Sequence, residues 1–217
     1  MSADSAYPPG ALLEPSSTPA PGSRRAALRA AAVVFIGTLI YAVVRYHGFK
    51  GVPWSQLPLY TLNKAWAVTA VILGGLALLA GSTGRRPEAR TLGGLAAGAG
   101  VAHGVASALL LRPAYFPAMF EADERLRWSG EASMALGVLA LVLFCRLEIA
   151  QDPLEAGGPA GRRPVAVMAL LLVAGHAALQ GVEVWLRPEG WPGGMPPLTL
   201  IGCVAALGAA ALAFRRR

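Results

Sequence analysis

Six apolar segments, at about 26–46, 62–80, 92–111, 129–147, 164–186 and 197–214, dominate the 217-residue chain. About 20 apolar residues in a helix cross the hydrocarbon core of a bilayer. Five segments meet that length. The fourth is the weakest, because only Ala132 to Cys145 lie between Glu131 and Arg146, and alone it is compatible with a re-entrant or buried helix. The pattern predicts an all-α, polytopic six-transmembrane-helix bundle in a lipid bilayer. Only 14% of residues are charged, against about 25% in a soluble domain. That composition excludes an ordinary cytosolic enzyme, a disordered regulator and a disulfide scaffold.

Charge placement sets the expected orientation. With all six segments spanning and both termini cytoplasmic, the inner side holds 12 of the 19 Lys and Arg residues. The outer side holds Arg45, Lys50, Lys64, Arg112, Arg125, Arg127 and Arg187, so the bias follows the positive-inside rule. Removing the fourth span weakens that bias. Trp54, Trp66, Trp128, Trp185 and Trp191 all fall at or near the outer face, where amphipathic rings anchor at headgroups. The net charge of +7 therefore reflects topology, and nucleic acid is not an expected partner, since the arginines cap apolar runs rather than form a basic face.

The expected organisation is a Pro/Ser/Ala-rich disordered tail over 1–23 and a transmembrane domain over 24–217. The tail lacks the basic and apolar regions of a cleaved signal peptide, so the first span is the expected insertion signal, into a bacterial inner membrane. The inner connections, about 81–91 and 148–163, are short, and no phosphate-cradling glycine motif occurs. Cys145 and Cys203 are expected at depths differing by roughly 10–15 Å, too far apart for a disulfide.

Ionisable groups inside a bilayer are costly and mark functional positions. His47 lies just past the first span, where a solvated interface position is expected. His103 is the twelfth residue of the third span and His176 the thirteenth of the fifth. Both helices run the same way, so the two imidazoles are expected at matched depth, placed to ligate a heme iron from opposite faces. Gly93, Gly94, Gly98, Gly100 and Gly104 surround His103, and Gly175 precedes His176. Such residues admit a flat macrocycle, and equally they let helices pack closely, as Gly100-xxx-Gly104 would. The pattern alone leaves heme ligands and structural histidines both open. Arg45, Lys64, Arg112 and Arg187 close the outer ends of four spans, positions suited to heme propionates or to snorkelling. Glu183 is expected to pair with Arg187 at i+4, the other reading being a polar access route. Ser107 and Gln180 stand one turn from His103 and His176 as candidate hydrogen-bond donors. The acidic stretch Glu121, Asp123 and Glu124 sits beside Arg125 and Arg127 and is expected to be a solvated loop, not a metal site.

Asn63-Lys64-Ala65-Trp66-Ala67 through Leu78, then Arg90-Thr91-Leu92-Gly93-Gly94 to His103, resembles the second and third spans of the ferric reductase-like transmembrane domain. His176 to Trp185, Trp191-Pro192 and Pro196-Pro197-Leu198 are similar to its fifth and sixth spans. The resemblance covers roughly 60–214. Members are six-helix b-type cytochromes: ferric reductases, NADPH oxidases, metalloreductases and the heme subunit serving a periplasmic methionine-sulfoxide reductase. The resemblance implies heme b with His103 and His176 as axial ligands of the iron, and Lys64, Arg112 and Arg187 as propionate contacts. Two-heme members carry a second histidine about four turns away on each helix. Here those positions are residues such as Ala89 or Pro117, and Arg163 or Glu189, so a single heme is implied. The flavin and nicotinamide domain of the large members is absent, which implies a separate flavoprotein reductase or quinol as electron donor, and an oxidoreductase role only as an electron-transfer subunit. The readings from another class are a heme-free membrane scaffold or partner subunit, or a small transporter in which His176 and Glu183 relay protons.

Overall fold

A computed structural model describes residues 21–149 and 158–215. The described residues are mostly helical, with no strand among them and six helices long and apolar enough to cross a membrane. They are α1 (Pro21–Val43), α2 (Leu62–Ser82), α3 (Arg86–Leu109), α4 (Trp128–Ile149), α5 (Gly158–Trp185) and α6 (Leu198–Arg215). Residues 1–20 of the expected tail lie outside the described residues, whereas 21–23 belong to α1. The fourth segment, weakest in the sequence, forms a 22-residue helix, about 33 Å long at 1.5 Å per residue. Glu131 in its first turn and Arg146 in its last are solvent- or headgroup-facing ends of one continuous helix.

Helix ends follow local chemistry. At the end of α2, Gly84 takes φ +78°, a left-handed conformation that costs glycine little. Arg85 N–H then donates to Ala80 O (2.9 Å) and Gly84 N–H to Gly81 O (3.2 Å), the two bonds of a Schellman motif. Pro87 follows in the first turn of α3, where its missing N–H costs nothing. The expected connection over 81–91 is thereby reduced to residues 83–85, and α2 and α3 form a tight hairpin.

The helices α2, α3, α4, α5 and α6 pack in that cyclic order, α6 closing on α2, while α1 lies outside the ring against α2 and α3. Small residues set the closeness. A Cβ on Gly75 would lie 2.8 Å from that of Ala209 on α6, and Gly74 is covered by the Phe144 ring. Gly100 and Gly104 of α3 both receive Leu141 of α4, so this pair does serve helix packing. At one end of the ring, Glu148 of α4 occupies the space left by Gly93 and Gly94, and Arg162 donates to the Leu147 carbonyl.

The other end is aromatic. Tyr46, Tyr60, Tyr115 and Phe116 form a cluster, with Tyr46 and Tyr60 edge-on at 5.5 Å and Tyr60 stacked with Tyr115 at 6.0 Å. Tyr41 O–H donates to Pro196 O (2.7 Å) and Trp185 Nε1–H to Thr199 Oγ1 (3.0 Å), tying α1 and α5 to the start of α6. Gly193 (φ +61°) completes this end, with the Phe49 ring 2.5 Å from where a Cβ would stand. Gly193→Ala therefore meets both a left-handed backbone penalty of about 1–2 kcal/mol and a blocked site. We expect its melting temperature to fall by more than the roughly 2–8 °C that the backbone penalty alone implies for a chain of this size. Gly194→Ala, with φ +68° and open space, should lose only the backbone share. Thermal melts of the two variants check the difference.

Candidate functional site

Within the ring lies a cavity of about 280 Å³, lined by α2 through α6 and by Phe116 and Met119, with no contribution from α1. Its wall is nearly all apolar or small: Ala67, Val71, Gly100, Gly137, Leu141 and Gly202 are typical. Into this wall project His103 from α3 and His176 from α5, helices that are not ring neighbours. The imidazole centres are 6.4 Å apart with the rings at 76°. The matched depth expected from the sequence is what brings them together.

Each ring is held through Nδ1. Asn63 Oδ1 accepts from His103 Nδ1–H at 2.6 Å, and Asn63 is itself fixed by Ser107, its Nδ2–H donating to Ser107 Oγ at 3.1 Å. The Ser133 carbonyl accepts from His176 Nδ1–H at 2.7 Å. A carbonyl oxygen can only accept, so both protons sit on Nδ1 and both Nε2 atoms keep their lone pairs. His103 Nε2 has no hydrogen-bond partner among the described residues, while Gln180 Nε2–H approaches His176 Nε2 at 3.3 Å and Ser133 Oγ at 3.1 Å. Gly137 makes room for the second ring, for a Cβ there would stand 2.9 Å from His176 Nδ1.

This donor set fits a heme iron better than a bare ion. Two imidazoles bound to one metal at about 2.0–2.1 Å from opposite sides have ring centres about 6 Å apart. Ligating histidines characteristically donate their other N–H to a carbonyl, as both do here. No group of three His, Cys, Asp or Glu side chains able to hold a metal occurs among the described residues. A free ion would thus find two ligands, whereas a porphyrin brings its own four nitrogens.

The expected accessory residues divide. Lys64 lines the cavity, its Nζ 4.5 Å from the Phe116 ring centre and 5.3 Å from that of Tyr60. Arg112 instead faces Tyr115 (5.9 Å), and Arg187 is exposed, so neither borders the cavity. Ser107 and Gln180 are the hydrogen-bonding neighbours expected. His47 is not a solvated interface residue. The first helix continues as a wide π-helical turn over Val44–Phe49, which buries His47 at 8% exposure. There it bonds Val52 O and Thr61 Oγ1, both at 2.8 Å, and stacks on Trp54. Nor does Glu183 pair with Arg187: among the described residues, the ion pairs are Arg125–Asp123 and Arg127–Glu121. Glu183 borders a separate 60 Å³ cavity with Arg127 and Gln180, because Arg187 lies past the last turn of α5 and no longer follows helical spacing. The acidic loop is solvated as expected, closed by Glu121 N–H to Arg125 O at 2.8 Å. Both cysteines are free.

Asn63, Ser133 and Gly137 were not legible as site residues from spacing. Asn63 carried one signal, an amide within an apolar helix. Comparison with family models and with curated proteins finds no match to the chain.

Proposed function

We propose that the protein is a membrane b-type cytochrome that passes electrons through one heme, held between His103 and His176, to an acceptor on the outer side. One observation carries this reading: two imidazoles lining one apolar cavity, 6.4 Å apart, each fastened through Nδ1, with His103 Nε2 unpartnered among the described residues and His176 Nε2 met only by Gln180 at 3.3 Å. Heme supplies one-electron chemistry when bound. The chain's own residues hold and tune it. Asn63 and the Ser133 carbonyl fix the imidazole tautomers and raise their basicity. Apolar walls exclude water from the ligands. Lys64, the sole cation in the cavity wall among the described residues, offers a positive charge to carboxylates at the aromatic end.

Electrons would come from a separate flavoprotein or quinol. The Lys and Arg distribution supports both termini on the cytoplasmic side and the aromatic end outward, in a bacterial inner membrane. Membership in the ferric reductase-like family is part of this proposal, resting on the residues quoted above.

The contact of Gln180 with His176 Nε2 favours a second reading, a heme-free scaffold or partner subunit whose histidines are satisfied by the protein. A dithionite-reduced minus oxidised spectrum of the detergent-purified chain separates the two. The cytochrome gives a sharp b-type band. Folded protein from heme-replete cells without that band would leave the heme-free reading.

A further inference from the structure

Arg45 is 4% exposed, yet among the described residues no carboxylate pairs with it. Its guanidinium donates to the Met195 carbonyl and stands 6.0 Å from the centre of the Tyr46 ring, while Nε has no acceptor. Lys50, beyond the π-helical turn, brings Nζ to 5.7 Å from the same ring. The ion pairs among the described residues involve neither side chain. A snorkelling arginine reaches into headgroups and solvent, whereas Arg45 is folded inward between α1 and the loop before α6. A buried cation with an undonated N–H is costly unless an anion meets it.

The same helix supplies an apolar approach. Because α1 lies outside the ring, Val33, Ile36, Ile40 and Val44 remain exposed. Their spacing of three to four residues places them on one stripe, which runs up α1 and ends at Val44, in the π-helical turn that carries Arg45. We propose that Arg45 and Lys50 bind the phosphate of an acidic membrane lipid whose acyl chain lies along this stripe. The phosphate accepts from the guanidinium and the ammonium, charge-assisted bonds of the stronger kind. The Tyr46 ring centre lies 6.0 Å from the guanidinium and 5.7 Å from the ammonium, within cation–π reach of each. Partial burial, and secondarily the neighbouring Arg45, hold the Lys50 pKa below its ordinary value, a cost that an anion relieves.

This assignment is independent of the redox reading and is measured on the full chain with or without heme. Thermal melts in detergent would compare added phosphatidylglycerol, phosphatidylcholine and inorganic phosphate. Phosphatidylglycerol should raise the melting temperature by about 3 °C or more beyond phosphatidylcholine, with inorganic phosphate giving no gain. Lys50→Glu, a change at a residue that the bundle covers only in part, should erase that gain, and Arg45→Gln should do the same if it folds. Equal effects of the two lipids, a gain that survives Lys50→Glu, or a gain reproduced by inorganic phosphate would each overturn the lipid site.

Discussion

Alanine at His103 or at His176 is expected to strip heme from the protein, lowering affinity by about 100-fold or more and leaving no detectable b-type band. In the proposed cytochrome each imidazole would supply one of the two axial bonds, and of the other cavity-lining side chains only the thioethers of Met119 and Met134 and the amine of Lys64 carry a donor atom suited to iron. Ser107 and Asn63 beside His103, and Gln180 and Ser133 beside His176, are hydroxyls and amides, poor ligands for iron. Nor can a covalent tether retain the group: Cys145 and Cys203 are not part of the C-x-x-C-H attachment motif. Outer-sphere changes alone shift metal affinity by about 10–100-fold, so loss of a ligand should exceed that range. The helices should survive, since neither ring belongs to the fully buried core. Heme per chain, measured as the pyridine adduct beside a helicity spectrum, checks both halves. Either variant retaining its heme at full occupancy would remove that histidine from the ligand set.

Asn63→Leu should produce the second-largest effect. Asn63 is fully buried and is the acceptor that fixes the His103 tautomer. Leucine has similar volume but leaves the Nδ1–H only the longer contact to Ser107 Oγ at 3.4 Å, at a cost of about 1–3 kcal/mol in stability. Heme affinity should fall by about 10–100-fold. A less basic imidazole also stabilises ferric iron less, so the midpoint potential should rise by about 30–60 mV, a one-electron shift of up to tenfold. Ser133→Ala provides the contrast. It removes a hydroxyl, but His176 donates to the Ser133 carbonyl, which every residue possesses, so the potential should hardly move. Redox titration of the two variants decides whether the second histidine is oriented by backbone and the first by side chain.

The sequence carried the bundle because its constraint is physical and repetitive: lengths near 20 apolar residues leave few ways to satisfy the backbone in lipid. The opposition of His103 and His176 was legible for the same reason, since equal distances along helices running in one direction fix equal depth. What escaped was decided by neighbours. His47 looked interfacial by position, but the wide turn over Val44–Phe49 folds it under Trp54, and hydropathy is blind to a π-helical turn. Glu183 and Arg187 have i+4 spacing, yet α5 ends at Trp185, which removes the geometry that spacing assumes. Ser133 acts through a carbonyl, which has no sequence signal. Gly137 is recognisable only once α5 is seen to place His176 against it.

The central claim is that one iron sits between His103 and His176. It is tested most directly by electron paramagnetic resonance of the oxidised, detergent-purified chain, with heme quantified on the same sample. The account predicts one heme per chain and a low-spin, six-coordinate ferric signal. A folded six-helix protein without heme, or a high-spin five-coordinate signal, would contradict it.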